Sequence, residues 1–270
     1  MFPFERLATV YFALFGVGAL LSLPGRRPPV RAAFCAVGAV AGVIGVAWTA
    51  SVTVRVWVPH AYLVVGYWLP ALLVSDVSST AFEAWLMGTD ARFRKYIPPL
   101  PGWAVHLAEL SYLMCYPAVP VAFVVVWMFG TLVDVERFWA SVLAAGFLCY
   151  GNLPWLPSRP PRLLDHFGPD HARDGSRAGA NEAPRALASV NTAVLARVSH
   201  QLNTFPSGHV AVSVAAAACV LTVWWPAGLA LGVVAVGIAV GAVVGRYHFV
   251  VDVLLGVAVG LLAVLIFSAF

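Results

Sequence analysis

Three short clusters hold the groups that can do chemistry: Arg159-Pro160-Pro161, Pro206-Ser207-Gly208-His209 and Arg246-Tyr247-His248-Phe249-Val250-Val251-Asp252. His248 and Asp252 stand four residues apart, on one helix face and within reach of each other. A carboxylate bonded to one imidazole nitrogen fixes the tautomer and leaves the other nitrogen available as nucleophile or base. Arg159 and Arg246 carry planar guanidinium forks that suit a phosphoryl group. Thr204 and Pro206, just ahead of an apolar run, mark a helix start. The amides of Ser207, Gly208 and His209 would then point outward at the positive end of the helix dipole, where phosphate oxygens bind. Gly208 would let a ligand come close to the backbone. Taken singly, each feature also has a structural reading: a headgroup-facing His209, a structural His248–Asp252 pair, arginines that snorkel or set topology. Taken together they are the parts of phosphoryl transfer through a phosphohistidine. One imidazole attacks in line, the other protonates the departing oxygen, and the positive groups hold the equatorial oxygens. No second carboxylate accompanies Asp252 in these clusters, so the pattern does not support a magnesium-dependent site and calls for no metal or cofactor.

The elements that carry these residues are set by composition. Of 270 residues 61% are apolar and only 10% charged, against roughly 45–50% and about 25% in an ordinary soluble domain. The mean hydropathy is +0.87. Such a surface cannot be solvated by water, which excludes a soluble cytosolic enzyme; scarce charge and the lack of a short repeat exclude disorder, a coiled coil and a collagen-like chain. The expected class is an all-α polytopic membrane helix bundle. A crossing takes about 20 apolar residues. Eight runs approach that length, at approximately 7–23, 32–53, 58–76, 107–130, 138–157, 207–224, 228–245 and 249–269. The first is kept as a membrane helix because no small-x-small cleavage site follows it. The glycine-rich run 228–245 resembles a close-packing span, since no strand pattern accompanies it.

Two polar connections interrupt the runs. Segment 77–106 carries Arg92, Arg94 and Lys95 between Trp85 and Trp103, as expected at headgroup level. Segment 158–206 is the most charged part; its second half spaces Leu187, Val190, Val194, Val198 and Leu202 along one helical face, which predicts an interfacial helix. The organisation expected is N-terminal transmembrane helices over 1–57, then a catalytic membrane domain over 58–270 with 158–206 as its interfacial loop. Two crossings separate His209 from His248 and none separates Arg159 from His209, so all three clusters should sit at one membrane face. The four cysteines (Cys35, Cys115, Cys149, Cys219) fit neither a disulfide framework nor a zinc pattern and read as packing residues. Asp165-His166 and Asp170-His171 form a repeated acid–imidazole pair that a metal would suit, though solvated side chains explain it better in so polar a loop. Glu109 and Asp76 lie near span ends, where interfacial solvation or contact with a polyol or headgroup accounts for them.

The three clusters resemble the signature motifs of the type 2 phosphatidic acid phosphatase superfamily, the haloperoxidase-like phosphatases. In the first motif Asn152 stands where the family has Lys, and Arg159-Pro160 match. The second matches fully from Pro206 to His209. In the third His248 and Asp252 match, while Gly241 and Ala242 stand in the Ser-Arg places. The resemblance covers about 120 residues. It implies a six-helix phosphatase core, here with about two extra N-terminal helices, with His248 as nucleophile, Asp252 as its orienter and His209 as general acid. Arg159, Ser207 and Gly208 would bind phosphate, joined here by Arg246 and possible assistance from Asn152. Loss of the Lys, with an arginine two residues before His248, looks like the branch that contains inositol phosphorylceramide synthases, which pass a phospho-headgroup between lipids. The implied partners are a lipid phosphate or phospholipid substrate and the membrane, with no nucleic acid. Water and an alcohol acceptor both remain open, and so does another class, a non-catalytic lipid carrier on the same scaffold.

With eight crossings, 13 of the 16 basic residues fall on the side of the three clusters. Positive-inside bias places that side in the cytoplasm, whereas the family resemblance implies an external or luminal site. Single cysteines introduced at Ser176 and Ser268 into a cysteine-free background, labelled with an impermeant reagent in intact cells, decide between them. Labelling at 268 alone supports the charge bias, and labelling at 176 alone supports the resemblance.

Overall fold

The computed structural model describes residues 1–21, 30–74, 81–165, 199 and 202–269. Among them the regular structure is helical, and the one β-type contact is an isolated antiparallel bridge between Ser158 and Asn203. Apart from Ser199 and Leu202, the helix expected over 187–202 lies outside the described residues, and so does the Asp–His repeat apart from Asp165.

Four helices are long and apolar enough to cross a membrane: α1 (Pro3–Leu21), α2 (Val30–Thr49), α11 (Trp225–Val244) and α12 (Val250–Ser268). Their outward faces carry exposed Val10, Leu14, Phe34, Val37, Val233, Val236, Leu261 and Leu265, the surface that lipid rather than water solvates. The other four apolar runs take different forms. Run 58–76 becomes the 13-residue α4 (Pro59–Ala71), with Pro59 in its first turn, and a short α3 (Val52–Trp57) precedes it. Run 107–130 is expected as one helix but is two, α6 (Gly102–Leu113) and α7 (Cys115–Phe129), bent by 56°. Pro117 explains the break: it has no N–H to give Leu113, four residues earlier, and its ring crowds that carbonyl. Run 138–157 lies on α8 (Leu132–Tyr150), which begins earlier, at a reciprocal cap between Thr131 and Asp134. Its first turns also hold Glu136 and Arg137, so composition alone understates it. After a five-residue α9 (Pro161–Asp165), run 207–224 becomes the 16-residue α10 (Gly208–Val223).

α8 is the central post. It is buried nearly all round from Phe138 to Phe147, as a helix enclosed on every side must be apolar on every side. α1, α4, α7, α10 and α12 all pack on it. Tyr11 of α1 stacks flat on Phe147 at 4.0 Å and gives its hydroxyl to the Gly66 carbonyl. Trp139 donates to the Val56 carbonyl at 2.7 Å. Near the chain's start, buried Glu5 takes both a side-chain Nε–H and an Nη–H of Arg55, at 2.7 and 2.6 Å, and fixes α1 against α3.

The close approach that matters most for function is between α10 and α12. Gly256 and Gly260 are four residues apart on α12, and a Cβ at either would lie only 2.7 Å from the Ser207 carbonyl oxygen or 2.6 Å from that of Ala211. Small residues at this spacing let two membrane helices approach backbone to backbone. The N-terminus of α12 is thereby held beside the N-terminus of α10. Gly256→Val is expected to destabilise the fold by about 1–3 kcal/mol through overpacking, read as a lower melting temperature in detergent; an unchanged melt would show that this contact is loose.

Candidate functional site

The three sequence clusters meet at one end of the bundle. His209 lies in the first turn of α10, and His248 ends the turn between α11 and α12. Their ring centroids are 6.0 Å apart. Aromatic rings of Tyr67, Tyr112 and Tyr116 surround His209 at 5.9–6.1 Å. His248 is buried, with Nδ1 3.5 Å from Asp252 Oδ2. That oxygen accepts from Asn203 Nδ2 at 2.9 Å and from the Phe249 amide at 3.2 Å. Asp252 is 0% exposed, and these two amides take the place of water at Oδ2, while Oδ1 is buried without a hydrogen-bond partner among the described residues. A pocket lined by Tyr67, Arg162, Thr204 and Tyr247 is shared by the two imidazoles, His209 and His248.

The start of α10 differs from the sequence expectation. The Ser207 amide is not directed outward: it donates to the Asp252 carbonyl at 3.0 Å. The Gly208 amide faces Thr204 Oγ1 at 3.4 Å. The first bond seams α10 to α12, where the two backbones are close, and the second is a local cap by the Thr204 hydroxyl. Gly208 likewise serves packing rather than ligand approach, since a Cβ there would fall 2.1 Å from the Tyr150 ring. The hydroxyl of Ser207 is buried without a hydrogen-bond partner among the described residues.

The two motif arginines each hold a carboxylate that the sequence reading does not single out. α5 (Ala81–Arg94) buries Glu83, Leu86 and Asp90, spaced three and four apart on one face. Glu83 Oε1 accepts from the Arg159 amide and Nε at 2.8 and 3.1 Å, and its Oε2 from an Nη at 2.9 Å. That carboxylate raises the Arg159 pKa above the ordinary arginine value. Asp90 Oδ2 pairs with an Arg246 Nη at 2.5 Å and its Oδ1 accepts the Val250 amide at 3.1 Å. Asp90 therefore straddles His248, gripping the chain two residues before it and two after. Arg246 needs the grip: its φ of 58° is left-handed, which disfavours a side chain. The signal for Glu83 and Asp90 was the 83–86–90 spacing on a headgroup-level helix.

Asn152, in the family's Lys place, is tied down: its Nδ2 donates to the Leu148 carbonyl at 2.8 Å and faces that of Phe205 at 3.5 Å. Glu109, read as interfacial, is buried and accepts the Tyr247 hydroxyl at 2.6 Å. Among the described residues no group of three or more His, Cys, Asp or Glu is placed to hold a metal ion. Beside the paired imidazoles lies an apolar cavity of about 480 Å³, lined by Leu63, Val64, Trp68, Val119, Pro120 and Val212, and reaching Tyr67 and His209. Val64 and Trp68 are exposed at its edge.

An all-α, multi-pass membrane protein with two imidazoles, one backed by a carboxylate, converging at one end of the bundle is the class that fold and site define. The sequence profile of the PAP2 superfamily matches residues 82–266, more than half of the chain, and the chain belongs to that superfamily of phosphatase-type lipid phosphoesterases. No curated protein and no solved structure matches it significantly. The matched region begins within α5, so Glu83 and Asp90 fall inside it. Asp90→Ala is expected to cost about 1–3 kcal/mol by stranding a guanidinium and an amide, seen as a lower melting temperature with Glu5→Gln as a remote comparison.

Proposed function

We propose that this protein is a metal-independent lipid phosphatase or phosphotransferase of the cell membrane that works through a phosphohistidine. The observation that carries the reading is the 6.0 Å separation of the His209 and His248 rings with Asp252 behind one of them. Asp252 engages Nδ1 of His248, which leaves Nε2 to attack phosphorus. The bond from phosphorus to the lipid oxygen breaks as His209 gives that oxygen a proton. In the second half His209 takes a proton from the acceptor hydroxyl, whose oxygen attacks phosphorus and breaks the P–N bond, returning both imidazoles to their starting state. The apolar cavity that reaches His209 favours a lipid phosphate or phosphodiester, because an acyl chain can stay in apolar surroundings while the headgroup reaches the rings.

A headgroup transferase is the second reading. It is favoured by the tethered Asn152 in the Lys place and by Arg246 two residues before His248, the pattern that resembles the inositol phosphorylceramide synthase branch. Both readings share the first half-reaction and differ in what attacks the phosphohistidine.

His248→Ala is expected to abolish turnover of lipid phosphates while leaving the melting temperature near that of the wild type; normal activity in this variant would refute the nucleophile. Orthovanadate should inhibit and chelators should not, and a strong loss in a chelator would redirect attention to the Asp–His repeat of 165–171. Mass-resolved products with water, inositol and diacylglycerol as acceptors separate hydrolysis from transfer, and lipid movement surviving substitution of both histidines would instead mark a carrier.

A further inference from the structure

Arg159 and Arg246 each carry a carboxylate, and neither is among the residues that line the pocket at the two imidazoles. Arg162 has the position. It lines the pocket shared by His209 and His248. Its amide donates to the Arg246 carbonyl at 3.0 Å, which ties it to the turn that carries His248. Its guanidinium carbon lies 4.9 Å from the centre of the Tyr247 ring. That ring is itself immobilised, stacked on Tyr112 at 4.1 Å and 5° and bonded through its hydroxyl to Glu109. A guanidinium resting on an aromatic face keeps its N–H groups in its own plane, available to a ligand. Arg162 Nε is buried with no hydrogen-bond partner, and no carboxylate pairs with this side chain among the described residues. A buried donor without an acceptor is unfavourable, and a phosphoryl oxygen in that plane supplies the acceptor.

We infer that Arg162 is the phosphate-binding arginine of the site, its planar fork taking two oxygens of the transferred phosphoryl group, with Tyr247 as its platform. Arg159 and Arg246 are positioning residues that fasten α5 to the site. This inference rests on the phosphoryl-transfer reading above.

The test uses the full chain in detergent, with orthovanadate binding followed by tryptophan fluorescence and turnover followed on a short-chain lipid phosphate. Arg162→Ala is expected to weaken vanadate and raise KM by about tenfold or more, the effect of losing charge-assisted bonds. Arg162→Lys, which keeps the charge and the fold but not the fork, should recover only part of the loss. Vanadate binding as tight as wild type in both variants, with His248→Ala inactive, overturns the role of Arg162 and leaves the phosphohistidine standing. If Arg162→Ala does not fold, wild-type vanadate affinity in Arg162→Lys overturns it alone. Failure of the wild type to bind vanadate overturns both.

Discussion

A carboxylate removed from water needs donors, and those that Asp252 has come from separate parts of the chain. Asn203 reaches its Oδ2 from the segment that bridges to Ser158 and the Phe249 amide from its own helix start, while His248 Nδ1 lies 3.5 Å away in the preceding turn. The carbonyl of the same residue accepts the Ser207 amide. Asp252 thus orients one imidazole and, through its backbone, holds the helix that bears the other. The small residues Gly256 and Gly260 make this arrangement possible by letting the helices meet without side chains between them. Packing and polar satisfaction act on the same two helix ends, and the separation of the rings follows from both.

α5 adds a second constraint. Its apolar contact, Leu86, sits with Phe249 and Leu164 in a small cluster of its own, and its two carboxylates reach out on either side. Glu83 secures the backbone and side chain of Arg159, while Asp90 spans the turn containing His248. Each buried charge here has a partner, which is the condition for keeping it inside. The helix is too polar to cross a membrane, and its value lies in bracing residues distant in sequence.

Much of this was legible before any coordinates. The apolar surplus gave the class, and the helical face shared by His248 and Asp252 gave their proximity. Counting crossings put His209 and His248 on one side, and the motif resemblance agrees with the family match over 82–266. What escaped was pairing. Nothing in the spacing of Arg159 or Arg246 announces that Glu83 and Asp90 lie across from them, about 76 and 156 residues away. The amides of Ser207 and Gly208 looked open because a helix start is open in isolation, but the neighbouring helix takes the first and the Thr204 hydroxyl meets the second. Run 107–130 looked continuous because hydropathy does not register Pro117, although the missing donor of proline gives the break a local cause.

The apolar cavity beside His209, with Val64 and Trp68 exposed at its edge, has a kinetic corollary. A substrate held there by its tail need never be extracted into bulk water. Encounter then proceeds by diffusion in two dimensions, and the concentration governing saturation is the mole fraction of substrate in the surface. Diluting that surface with inert lipid would slow the reaction even at fixed total substrate in the tube.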